Sequence, residues 1–121
     1  MSKFNQRAIA KLLEAQKILR KVGRSADTSA GQAFAGDLIR LLETGKPITV
    51  EISDEGDMVA QATVKPADVR VSKTTVILGK QEIPLCHLQN GTDGDYELLM
   101  LVECPGDPLG VPHLVTLKEA A

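Results

Sequence analysis

Seven of the first 24 residues are basic and only Glu14 among them is acidic. Lys3, Arg7, Lys11, Lys17, Arg20, Lys21 and Arg24 give this segment a net charge of +6. Residues 25–121 hold seven bases and 15 acids, a net of −8. Such a division points the basic segment toward an anionic partner, or toward acidic surface of its own fold or of a sister subunit. Arg7, Lys11, Lys17, Arg20, Lys21 and Arg24 are the expected partner-binding residues. An acidic protein fits them. So does a phosphate backbone, whose attraction would fall steeply with salt. Nucleic acid is the second choice of the two. Aromatic residues make up 2% of the chain, too few for a base-stacking platform. Between the two helices expected below, the linker is longer than the roughly 3–4-residue turn of a helix-turn-helix. The second of them carries only Arg40 as a base.

A small anionic ligand or nucleotide signal is the alternative cargo. Arg70, Lys73 and Asn90 fall near strand ends and turns and are its expected polar anchors, with pockets at subunit boundaries. The soft metal ligands are Cys86, His87, Cys104 and His113. Adjacent residues on a strand point to opposite faces, so Cys86 and His87 cannot converge there. No Cys-x-x-Cys pair occurs, and neither a metal nor an organic cofactor is expected. Centring the loop between Thr92 and Asp93 sets Cys86 opposite Leu99, which argues against a bridge to Cys104. Two acidic clusters, Asp54/Glu55/Asp57 and Asp93/Asp95/Glu97, read as turn chemistry, because neither has the ligands of a calcium loop. There is no Gly-x-Ser-x-Gly elbow and no phosphate-cradling glycine loop. The chain reads as a non-enzyme. Cys86, Cys104, His87 and His113 are the candidates were it to be one.

These side chains must be held by regular elements. Ala8, Leu12, Ala15, Leu19 and Val22 recur at spacings of four and three, which predicts a helix from about Asn5 to Val22. Ile9, Leu13 and Ile18 widen its apolar stripe, and the bases fall opposite. Gly23 ends it. Ser29 with Gln32 reads as a capping box opening a second helix that runs to Thr44. Phe34, Leu38, Leu41, Leu42 and Ala30 form its buried face. Gly31, Ala33, Ala35 and Gly36 make its first half thin, which invites close backbone approach by the first helix or a sister chain. Gly45 and Pro47 stop it.

From Pro47 the period drops to two. Strands are expected at Ile48–Ser53, Met58–Val64, Val69–Val71, Thr74–Leu78, Gln81–Leu85, Tyr96–Glu103 and His113–Leu117. Gly79-Lys80 suits a two-residue hairpin turn, and Pro84 belongs on an edge. Residues 105–112 carry three prolines and two glycines and are expected to be irregular. Tyr96–Glu103 is apolar on both faces and should be an inner strand.

The order of elements predicts an α+β fold: two N-terminal helices followed by an antiparallel sheet or small β-barrel of about six or seven short strands. One domain over 1–121 is expected, helical to residue 45, antiparallel β over 46–117, with 118–121 as a frayed tail. At 43% hydrophobic and 25% charged, the composition is that of a globular chain. No apolar run has the length of a membrane span, and no leader pattern is seen, so a cytoplasmic protein is expected. Two helices cover only part of a sheet with apolar residues on both faces, so a homo-oligomer, a dimer or higher, is expected. Together these readings describe a small non-catalytic binding or regulatory protein of a bacterial or phage accessory type. It recognises an acidic macromolecule through its basic first helix.

Overall fold

The apolar stripe of the first segment does form a helix. In a computed structural model that describes residues 5–22, 28–54, 57–90, 96–102 and 109–120, α1 spans Gln6–Val22. Ala8, Leu12, Ala15 and Leu19 are buried along one line. Leu13 and Ile18 do not widen the stripe as expected: they are 49% and 42% exposed. They lie about 90–130° round the wheel from its centre, beyond the reach of the elements that cover α1. Ile9 is partly buried against the core. Asn5 caps the helix rather than joining it. Its Oδ1 accepts from the Ala8 N–H at 3.1 Å, and its Nδ2 donates to the carbonyls of Pro66 and Val69.

Helix α2 spans Ser29–Thr44 and buries Ala30, Gly31, Phe34, Ala35, Leu38 and Leu42, with Leu41 half-buried. The expected capping box at Ser29 is displaced by one residue. Thr28 is the cap position, and its hydroxyl makes no bond to its own helix's N–H groups. It donates instead to the Leu19 carbonyl at 2.8 Å, one of the acceptors that the last turn of α1 leaves open. The Gln32 amide reaches back to that same hydroxyl. At the other end Gly45 adopts φ 74°, and its N–H returns to the Leu42 carbonyl. Gly23 and residues 24–27 of the expected linker lie outside the described residues.

Among the described residues eight strands follow: β1 Ile48–Asp54, β2 Asp57–Val64, β3 Arg70–Ser72, β4 Thr75–Leu78, β5 Gln81–Pro84, β6 Leu88–Asn90, β7 Tyr96–Val102 and β8 Leu109–Glu119. Two 3-10 turns, Pro66–Asp68 and Leu85–His87, interrupt them. The strands form two antiparallel sheets, ordered β2-β1-β8-β7-β6 and β3-β4-β5, and among the described residues these do not close into a barrel. The α+β order expected from the sequence is therefore the fold. Pro84 sits on edge strand β5 as expected. Gly79 opens the β4–β5 turn at φ 65°, while Lys73 at φ 54° opens the β3–β4 turn, an unfavourable position for a side-chain-bearing residue. Val76 and Leu78 of β4 are fully buried. Between Ile52 and Ser53 the β1–β2 register slips. Ile52 faces Ala60 and Ser53 faces Met58, so Val59 is a bulged residue. Met58 and Val59 are both about half exposed there.

The last strand departs most from expectation. Residues 109–112, expected to be irregular, pair with Val102–Leu99 of β7. Pro112 is tolerated because β1 no longer flanks β8 at that level, so no ladder partner on that side needs its missing N–H. Residues 118–120 do not fray. Lys118 and Glu119 pair with Thr49 and Ile48, the Ala120 N–H donates to the Pro47 carbonyl at 2.9 Å, and Lys118 forms an ion pair with Glu51. In the β6–β7 ladder Leu88 faces Leu98 and Asn90 faces Tyr96, one position from the register implied by a loop centred at Thr92–Asp93. Cys86 is not on a strand at all but in the second 3-10 turn. The core gathers α1, α2 and both sheets around an aliphatic cluster with Phe34 as its buried ring.

Candidate anion-binding site

Five of the expected partner-binding residues, Arg7, Lys11, Lys17, Arg20 and Lys21, are exposed on α1, with Lys11 flanking the buried stripe rather than opposite it; Arg24 lies outside the described residues. The ion pairs found among the described residues are elsewhere: Arg40 with Asp37, Lys46 with Glu119 and Lys118 with Glu51. Among the described residues no ion pair joins an α1 base to a carboxylate, although Glu14 stands one turn from both Lys11 and Lys17. Arg20 Nε donates to the Gln16 carbonyl at 3.3 Å.

Arg20 and Lys21 suit the dipole at the last turn, but the other bases work against the helix that carries them. Arg7–Lys11 and Lys17–Lys21 are like charges one turn apart, each pair costing about 0.2–0.5 kcal/mol. The first turn has no acidic residue, and Arg7 there opposes the helix dipole, which favours anions at that end. An anionic partner would relieve both.

At that end of α1 the side chains meet a second element. A cleft of about 400 Å³ opens between the start of α1 and β3. Arg7 and Lys11 line one wall and Arg70 the other, with Asn5 and Ser72 as neutral polar groups and Val69, Val71 and Ile77 as apolar surface. No carboxylate among the described residues lines it. Alternation on β3 explains the placement: Val71 goes into the core, so Arg70 and Ser72 face out together. Asn5 holds the walls in place, since one amide ties the helix start to the Pro66–Val69 backbone.

The three expected ligand anchors are thus not one site. Arg70 joins Arg7 and Lys11. Lys73 is exposed at the β3–β4 turn and does not line the cleft. Asn90 is structural: its Nδ2 donates to Ser29 Oγ at 3.1 Å, tying β6 to the start of α2. Asn5 and Ser72 were not foreseen. An asparagine directly before an apolar-periodic run is a helix-cap signal and could have singled out Asn5.

Cys86 and His87 are exposed in the second 3-10 turn, while His113 is buried in β8. Cys104, Glu55, Asp93 and Asp95 lie outside the described residues. Among the described residues no three His, Cys, Asp or Glu side chains gather closely enough to hold a metal, and no helix is long and apolar enough to cross a membrane.

No protein-family model, curated protein or solved structure matches the chain, so its own residues carry the functional reading.

Proposed function

We propose that this is a non-catalytic binding protein that takes an acidic protein partner on the outer face of α1 and works as a homo-oligomer. The observation that carries the reading is the set of five exposed bases, none of which is ion-paired to a carboxylate among the described residues. Leu13 and Ile18 are exposed on the same helix. Apolar side chains among the bases favour an acidic protein over a phosphate backbone, which offers them nothing to contact.

Fluorescence anisotropy with two probes, a Glu/Leu-rich peptide and a duplex DNA, tests this. The peptide is expected to bind, to weaken as salt rises, and to lose at least tenfold in affinity to the triple variant K17E/R20E/K21E. Leu13→Ala with Ile18→Ala should weaken the peptide further while leaving salt dependence unchanged. DNA binding that ignores the apolar pair would move the reading to nucleic acid. Peptide affinity unchanged in the triple variant would remove α1 from the function.

Self-association is supported by a separate feature. Leu99–Val102 and Leu109–Pro112 pair with each other beyond the levels where β6 and β1 end, so this part of the sheet is a two-stranded ribbon among the described residues. Such a ribbon is marginal alone in water. Pro112 lacks an N–H and blunts the β8 edge, whereas the β7 edge, Leu99-Met100-Leu101-Val102, keeps every donor. A second copy pairing antiparallel on that edge about a twofold axis would complete it. Sedimentation should give at least twice the 13.0 kDa chain mass, falling to one chain in the variant M100K/L101K. A monomeric wild-type protein would end the proposal.

A further inference from the structure

We infer that the cleft between the start of α1 and β3 binds the phosphate group of an organic phosphate monoester, at a site that shares Arg7 and Lys11 with the basic helix but not Lys17, Arg20 and Lys21. Three cationic side chains from two elements, Arg7, Lys11 and Arg70, line one cleft that no carboxylate among the described residues shares. An anion placed among them meets opposite charge from both walls and also lies at the helix end whose dipole favours it. Guanidinium groups suit a phosphate because each can donate two parallel hydrogen bonds to its oxygens.

The size of the cleft argues for more than a bare ion. Its volume of about 400 Å³ lies within the range of small-molecule sites. Half-buried Ile77 supplies apolar surface beside the cations, with buried Ala8, Val69 and Val71 behind it. A ring or hydrocarbon body on that surface with its phosphate among Arg7, Lys11 and Arg70 uses both halves of the lining. Asn5 and Ser72 add neutral hydrogen-bonding groups at the margin. Because the Asn5 amide already bridges α1 to the Pro66–Val69 backbone, the walls need little ordering when the ligand arrives.

The body could belong to a small metabolite or to a phosphorylated side chain, and the test separates the two. Amide NMR spectra of the full chain are followed during titration with adenosine 5′-monophosphate, with adenosine, with inorganic phosphate and with a phosphotyrosine peptide. Shifts are expected at residues 5–11 and 67–72 with the monophosphate or the phosphopeptide, and the tighter of the two names the source. Inorganic phosphate should shift the same amides at about tenfold or more weaker affinity, and adenosine should shift none. Arg70→Gln should cost about tenfold in affinity, the usual scale for one charge-assisted pair. Lys17→Gln, on the outer face and away from the lining, should cost less than twofold. Arg70 is exposed on an edge strand, so an unchanged unfolding midpoint will show that the variant is intact. Absent shifts at the cleft, or equal losses from Arg70→Gln and Lys17→Gln, would overturn the assignment. Equal losses would mean attraction to a diffuse positive field only. Retained monophosphate binding in K17E/R20E/K21E would keep this site even if the protein-binding face fails.

Discussion

Phe34→Ala is expected to lower the free energy of unfolding by about 3–5 kcal/mol. Phe34 is fully buried on α2, and it brings the one ring to a cluster otherwise built of Leu, Ile, Val and Ala. With so few aromatics in the chain, nothing nearby of similar bulk can swing in to fill the space. The lost side chain therefore leaves a void as well as forfeiting its transfer from water. Domains of this size are stable by roughly 5–15 kcal/mol, so the change removes a large share. A fall of roughly 10–20 °C in melting temperature should follow. Leu13→Ala serves as the comparison: at 49% exposure it should change stability by about 0.5 kcal/mol or less. Calorimetry or urea unfolding measures both. A loss below about 1 kcal/mol for Phe34→Ala would show that this ring does not anchor the core.

Gly31→Ala and Gly36→Ala should move stability in opposite directions. Intrinsic helix propensity alone would make both stabilising, by about 1 kcal/mol each. At Gly36 it should prevail, because an added methyl meets only the Gln16 amide, at an ordinary 3.5 Å. At Gly31 the methyl would overlap the carbonyl oxygen of Leu85 and press on its carbon at 3.0 Å and on Leu19 Cδ1 at 3.2 Å. Backbone cannot yield as a flexible side chain does. Either α2 or the Leu85–His87 turn must move, at a cost of about 1–3 kcal/mol or more. Since Leu85 is fully buried, its displacement would disturb the core as well. Equal gains in both variants by urea unfolding would show that the helix and the turn are not in close approach.

The thinness of α2 was legible in its glycines and alanines, and α1 does approach it, through Leu19 and Gln16. The nearest backbone, however, belongs to a 3-10 turn that no periodicity announced. The α1 stripe, the Gly45 stop, the alternation of β1 and the Gly79-Lys80 turn could all be read, because each depends on neighbours in sequence. What could not be read depends on distant partners. Thr28 gives its hydroxyl to Leu19 across the interhelical gap, and the sequence shows only two hydroxyl residues side by side. Pro112 enters a strand two residues beyond Leu114, where the described β1–β8 pairing ends. The bases of α1 were evident as a charged half-wheel. That Arg70 would face Arg7 and Lys11 was not, since it requires the packing of β3 beside the start of α1.

β1 lies between β2, its neighbour in the chain, and β8, which pairs Glu119 with Ile48. During synthesis the β1–β2 hairpin must therefore wait, with its β8-facing edge open, until residues 114–119 have left the ribosome. Contacts this remote in sequence slow folding toward the millisecond-to-second range. A nascent chain caught in that interval shows an unsatisfied strand, which makes it a natural client for chaperones.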